Sequence, residues 1–199
     1  MSLIEASSRD RIRTAAVEQL KLNGLIGMRM FDVAAAADVS VPLIYKLFRD
    51  RNGLLTDVLS ELYASYVKED IASIRNLISL TSGPISTKVI ANNIVPISQP
   101  RRHERRWIRV QIVAASVEIK ELHERLRIEH ASLIQQTVQL AVEIRQRNGA
   151  TRPVNLHFFA TILFALVFGL VLSDLDLDEL DTDAYRHYME ELLSTYLEP

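Results

Sequence analysis

Asp38-Val39-Ser40-Val41-Pro42-Leu43-Ile44-Tyr45-Lys46-Leu47-Phe48 is the stretch that decides the fold. It reads as the turn and second helix of a helix-turn-helix, the device that lays a short helix in the major groove of DNA. Ser40 is a candidate N-cap, because its hydroxyl can accept a hydrogen bond from an amide of the first turn. Pro42 then falls in that first turn, where a missing N–H leaves no helical bond unmade. Ahead of the turn, Met30, Val33, Ala34 and Ala37 share one face of a short helix. Beyond it, Ile44 and Phe48 lie four apart and can pack back on that face. Val41, Leu43, Tyr45 and Lys46 are left freer to point outward, giving the second helix an apolar and aromatic edge with one basic residue.

The flanking sequence extends the pattern. Ser7 and Asp10 form a candidate capping box, Ile12, Ala15, Ala16, Leu20 and Leu22 follow a helical stripe, and Asn23-Gly24 is a natural stop. A helix from Met28 to Ala37, the helix from Ser40 to Phe48 and a long helix from about Asn52 come next. This order and spacing resembles the TetR family of bacterial transcriptional regulators. The matching residues are Ala15-Ala16, Gly24, Val33-Ala34, Ala37-Asp38-Val39-Ser40, Ile44-Tyr45, Phe48, Arg51 and Leu54-Leu55.

The resemblance implies an all-α protein with a helix-turn-helix DNA-binding domain over residues 1–51 and a helical effector-binding and dimerisation domain over residues 52–199. It further implies a homodimer that presents two recognition helices to a near-palindromic double-stranded DNA operator, usually as a repressor. Tyr45, Lys46 and Arg51 match the family's phosphate-contacting positions. The chain departs from the family pattern at Met28, where threonine is usual, and at Phe31, where a polar or basic residue is usual. Val41-Pro42 replaces a Lys/Arg-Gly pair, and Leu47 replaces histidine or tyrosine. No arginine, asparagine or glutamine lies on the recognition helix to grip a base edge. Base reading is therefore expected from Val41, Pro42 or Leu43 against thymine methyls, with Arg29 beside them, and from DNA shape.

Composition bounds the rest. The 199 residues allow one or two domains, and 48% hydrophobic with 24% charged residues is ordinary for a globular protein. No cysteine is present, which excludes disulfides, thiolate metal sites and cysteine nucleophiles. No basic segment followed by an apolar core opens the chain, so cytoplasmic residence is expected. The net charge of −2 is uneven: eight basic residues face six acidic ones through Leu55, and fifteen face nineteen beyond it. That slight excess agrees with DNA contact at the first end and does not prove it.

About nine helices are expected, with no strand pattern. The helix from Asn52 ends near Leu80, before Thr81-Ser82-Gly83-Pro84; others span Ile85 to Val95, Arg101 to Ile119, and Lys120 to Arg147. A very apolar helix is expected to open at Pro153 and run to about Leu172, followed by an acidic loop and a closing helix from Thr182 to Leu197. The Phe158–Leu172 run, 15 residues long, is short of the ~20 needed to cross a bilayer. An apolar helix of this kind is expected to be covered on one face by the core and on the other by a second subunit. Ala165, Phe168, Gly169 and Leu172, with Tyr188 and Leu192 on the closing helix, are the expected dimer interface, and no membrane contact is expected.

Enzyme chemistry finds no support. Glycine-rich phosphate loops and a GxSxG elbow are absent. His103, His123, His130, His157 and His187 form no metal motif, and the carboxylates from Asp174 to Asp183 lack the glycine and closing glutamate of a calcium loop. No catalytic residue, metal or cofactor is expected, and the acidic run reads as a solvated connector. Arg101, Arg102, Arg105, Arg106 and Arg109 form the densest basic cluster; Arg102, Arg105, Arg106 and Arg109 share a face that could attract an anionic ligand or a partner, and the commoner outcome is a solvated face paired with Glu104 and nearby carboxylates. Polar groups bordering apolar faces mark a candidate ligand pocket made of Tyr63, Tyr66, Trp107, Gln111, His130, Thr137 and Phe164. Such a lining suits a small hydrophobic effector. The competing expectation is a helical small-molecule or protein-interaction module that keeps this fold without regulating DNA.

Overall fold

A computed structural model describes residues 7–94, 100–176 and 180–199, with the side chains of residues 94 and 100–102 outside the description. Val95 and Pro96, the side chains of Arg101 and Arg102, and Asp178 and Glu179 of the acidic loop thus lie outside the described residues. The protein is all-α. Among the described residues the helices are α1 (Ser8–Gly27), α2 (Met30–Ala36), α3 (Val41–Phe48), α4 (Arg51–Leu80), α5 (Thr87–Ile94), α6 (Pro100–Glu118), α7 (Lys120–Asn148), α8 (Leu156–Gly169) and α9 (Thr182–Leu197). A short 3-10 turn covers Leu172–Leu175.

The chain gathers into two compact units. The first holds the chain through Leu62 together with Gln111–Leu126; the second holds Tyr63–Val110 and Arg127–Pro199. In the first, Ile12, Ala16, Val33, Ile44, Leu54 and Leu55 form a buried centre. Ser7 caps α1 by accepting from the Asp10 amide, and its hydroxyl donates to the Asp10 carboxylate (2.6 Å). Gly24 breaks α1 at φ +67° and ψ 177°, a conformation open to glycine, and one more turn follows to Gly27. Leu22 does not join the buried stripe: it is exposed, because the break follows it at once.

In the second unit, α5 packs on α9. Ile74, Ile78, Ile90, Leu140, Ile144, Phe159, Met189, Leu193 and Leu197 form one apolar cluster. Polar side chains tie its end. Asn148 donates to the carbonyls of Ile85 (3.0 Å) and Leu197 (3.2 Å) and accepts from the Ile85 amide (2.6 Å). Buried Arg145 donates to the carbonyls of Tyr196, Ala150 and Arg152.

The α8 helix begins later than Pro153, at Leu156, because Asn155 supplies the cap through its bond from the Phe158 amide (2.9 Å). Its 14 residues are followed by a turn and the 3-10 segment. Leu156–Leu175 is apolar and long enough, by length and composition, for a membrane span. The regular helix covers only about 21 Å at 1.5 Å per residue, against a hydrocarbon thickness of ~30 Å. Phe159, Ala160 and Phe164 are buried within the chain.

Candidate nucleic-acid interface and ligand cavity

Within the first unit α2 packs on α1 and on α3. Asp38, at φ +51°, reverses the chain between α2 and α3, and the Val39 amide closes the turn on the Ala34 carbonyl (3.0 Å). Aspartate tolerates this left-handed geometry better than most residues. Ser40 is the N-cap of α3, but its hydroxyl makes no capping bond; its carbonyl takes the Leu43 and Ile44 amides instead (3.0 and 3.3 Å). At the other end Arg49 sits at φ +69°, and the Asp50 carboxylate caps α4 through the Gly53 amide (2.7 Å). Gly53 lies so close to α3 that a Cβ there would stand 1.9 Å from the Phe48 carbonyl oxygen.

The outer edge of α3 carries exposed Pro42, Tyr45 and Lys46, with Val41 and Leu43 partly exposed and Arg29 exposed just ahead of α2. Lys46 has no ion pair among the described residues. Arg51 is half-buried and donates to the Leu25 carbonyl (2.9 Å), so its guanidinium already has an internal partner. Arg49, which sequence reasoning passed over, pairs with Glu121. Phe31 is 75% exposed on α2, an unusual place for a large apolar ring. Arg9 lies over the Phe48 ring (4.6 Å) and also faces Asp57 (3.6 Å), tying α1 to the end of α3 and to α4.

The second unit contains a cavity of about 120 Å³. Its walls come from Val67, Asp70, Ile71 and Ile74 on α4, Ile90 on α5, Arg109 on α6, and Thr137, Leu140, Ala141 and Ile144 on α7. Phe159, Leu163, Phe164 and Val167 on α8 and Leu193 and Leu197 on α9 complete them. Of the seven expected pocket residues, Thr137 and Phe164 line this space. Tyr63 and His130 stand beside it: they share a hydrogen bond (3.0 Å), and the His130 ring meets Phe164 edge-on at 4.9 Å. Tyr66 is buried beneath the Arg105 guanidinium (4.7 Å), Trp107 is half-buried and Gln111 is exposed; none of the three lines the cavity.

The basic cluster requires a correction. Arg105 does pair outward with Glu69, but Arg106 and Arg109 are buried. Arg106 bonds Asp174 (2.8 Å), which makes part of the acidic connector an internal anchor rather than a solvated loop. Arg109, only 7% exposed, lies over the rings of Phe168 (4.9 Å) and Tyr63 (5.5 Å). The buried stripe of α6 runs through Arg106, Arg109, Ile112 and Ser116, not through Trp107 and Gln111. Its spacing of three, three and four was visible in the sequence, although two arginines do not look like a buried stripe.

Burial lowers the Arg109 pKa, while Tyr63 and Asp70 favour its charge. Burial raises the Tyr63 pKa, keeping it a phenol. The Tyr63 hydroxyl and His130 Nδ1 share one proton between them, on one or the other according to the imidazole tautomer. Burial, helped by the Arg109 charge, lowers the His130 pKa.

The expected subunit contacts fall on two kinds of surface. Ala165, Gly169, Leu172 and Tyr188 are exposed in the single chain, whereas Phe168 is half-buried under Arg109 and Leu192 packs on the apolar cluster.

Residues 12–58 match the family model described as bacterial regulatory proteins, tetR family. The chain is 24% identical over 155 residues to the probable HTH-type transcriptional regulator YttP of Bacillus subtilis (strain 168), a match covering 78% of this chain and 73% of that one. A solved structure of a protein assigned to the TetR-family transcriptional regulators, from Rhodococcus sp., superposes with a TM-score of 0.70 at 22% identity, covering 96% of this chain and 98% of the other. A further protein so assigned, from Mesorhizobium loti, gives a TM-score of 0.73 at 16% identity, with 98% of each chain covered. The helix-turn-helix lies in the stretch that matches the tetR family model, and along nearly its whole length the chain shares the fold of solved proteins assigned to that family.

Proposed function

We propose that this protein is a ligand-responsive repressor of the cytoplasm that binds a near-palindromic operator as a homodimer and leaves it when a mainly apolar small molecule is bound. The observation that carries this reading is the presence, in one chain, of an outward-facing recognition helix and a largely apolar cavity. Arg29, Val41, Pro42 and Leu43 would meet the base edges, with Tyr45 and Lys46 on phosphates and Arg51 adding to them where its bond to Leu25 opens. The exposed small and apolar groups Ala165 and Gly169 of α8 and Leu172 of the 3-10 turn, with Tyr188 of α9, support burial against a second copy. A two-fold pair would place recognition helices about one turn of DNA apart, which is why an inverted repeat is expected. The effector would act by binding one separation of those helices more tightly than the other.

Selection of binding duplexes from a random pool, followed by sequencing, tests the reading. Enrichment of one inverted repeat is the expected result. No enriched repeat would overturn operator binding and favour an interaction module that keeps this fold.

A further inference from the structure

We propose that the molecule this cavity accepts carries a single carboxylate, gripped by Arg109, on an apolar body about the size of one aromatic ring. The inference deepens the effector reading above and rests on it for the regulatory consequence, though not for binding itself. Arg109 is 7% exposed, yet its Nε and one terminal guanidinium nitrogen have no hydrogen-bond partner. A buried donor left unmade is costly, and the planar fork of an arginine matches a carboxylate in geometry and charge. The Arg109 side chain stands on the cavity wall, but these two nitrogens are themselves closed off from the free space, so a carboxylate would meet them only once the guanidinium has turned toward it. Around it the wall is aliphatic and aromatic, with Ile71, Ile90, Leu140, Phe159 and Leu163 giving no other strong donor. Thr137 spends its hydroxyl on the Leu133 carbonyl (2.9 Å).

Size follows from the volume. A dry apolar cavity of roughly 150 Å³ accepts benzene, so about 120 Å³ gives room for an apolar body of similar scale. The one opposing feature is Asp70 on the same wall. Its charge favours the protonated arginine, but it leaves the Nε and the second nitrogen without a partner. It also excludes a second negative group, so a dicarboxylate or phosphate is disfavoured. Were Asp70 the anchor instead, the ligand would be an amine, and the test separates these cases.

The full chain is titrated by calorimetry with 4-methylbenzoate, 4-methylbenzamide and 4-methylbenzylamine, which share one skeleton and differ in charge. The acid is expected to bind at least tenfold more tightly than the amide, and the amine not at all. Arg109→Met, which keeps the bulk, is expected to abolish that preference while still binding the amide; amide binding by the variant shows that it has folded. Equal affinities for acid and amide, survival of the acid preference in Arg109→Met, a tighter amine, or no binding by any of the three would each overturn the proposal. Release of the selected operator is measured separately. Acid binding without release would sustain the carboxylate site and remove its role as the effector site.

Discussion

Lys46 and Arg51 show how two cations at expected phosphate positions differ once their surroundings are known. Lys46 is exposed, whereas Arg51 is half-buried and bonded to Leu25. Lys46→Ala is expected to weaken binding to every duplex and to reduce the slope of log K against log salt by about one, with the melting temperature unchanged. Arg51→Ala is expected to lower the melting temperature as well, since it removes a tie between α4 and α1. An unchanged salt slope for Lys46→Ala would exclude that contact. His130 makes a pH prediction. Its folded pKa lies below its ordinary value, so the unfolded chain takes up the proton first on acidification. Its share of stability is therefore fully present above about pH 6.5 and is lost as pH falls through the lower folded value. Thermal melts from pH 7 to pH 5 should show a smaller decline for His130→Gln than for wild type; parallel curves would contradict the assignment.

At the scale of elements, legibility tracked local chemistry. Met30, Val33, Ala34, Ala37, Ile44 and Phe48 are buried as the periodicity of the motif requires. The expected spans of α6, α7 and α9 lie within a residue or two of the observed ones, because Asn148-Gly149 and Asp181 signal helix ends strongly. What could not be read was tertiary. The burial of Arg106 and Arg109 depends on Asp174 and Tyr63, which arrive from 68 and 46 positions away. The close approach of α3 and α4 at Gly53 was equally hidden, since glycine in a first helical turn looks merely unfavourable. Gly53→Ala tests that junction: by helix propensity alone it should stabilise, but the Phe48 oxygen stands in the way. A loss of about 1–3 kcal/mol in chemical denaturation is expected, typical of forced overpacking. A gain in stability would show that the junction relaxes freely.

For the whole molecule, the decisive question is what covers α8. Ala165 is exposed in the single chain, so Ala165→Glu should leave the protomer folded while burying an unpaired charge in any dimer built on that face. Sedimentation at micromolar concentration is expected to give a dimer for wild type and a monomer for Ala165→Glu, with unchanged helix content. A wild-type monomer, or a dimer indifferent to the substitution, would move the subunit contact elsewhere.

The tie between α9 and the rest of the second unit also sets a timetable during synthesis. Ile12, Val33 and Ile44 meet within the first few dozen residues translated. By contrast, Ile74 and Ile90 wait for Met189, Leu193 and Leu197, and the Asn148 and Arg145 side chains wait for the carbonyls of Leu197 and Tyr196. At roughly 5–20 residues per second, that leaves several seconds in which an apolar face made early has no cover. The growing chain thus presents its helix-turn-helix before Met189, Leu193 and Leu197 can close the apolar faces of α4, α5 and α7.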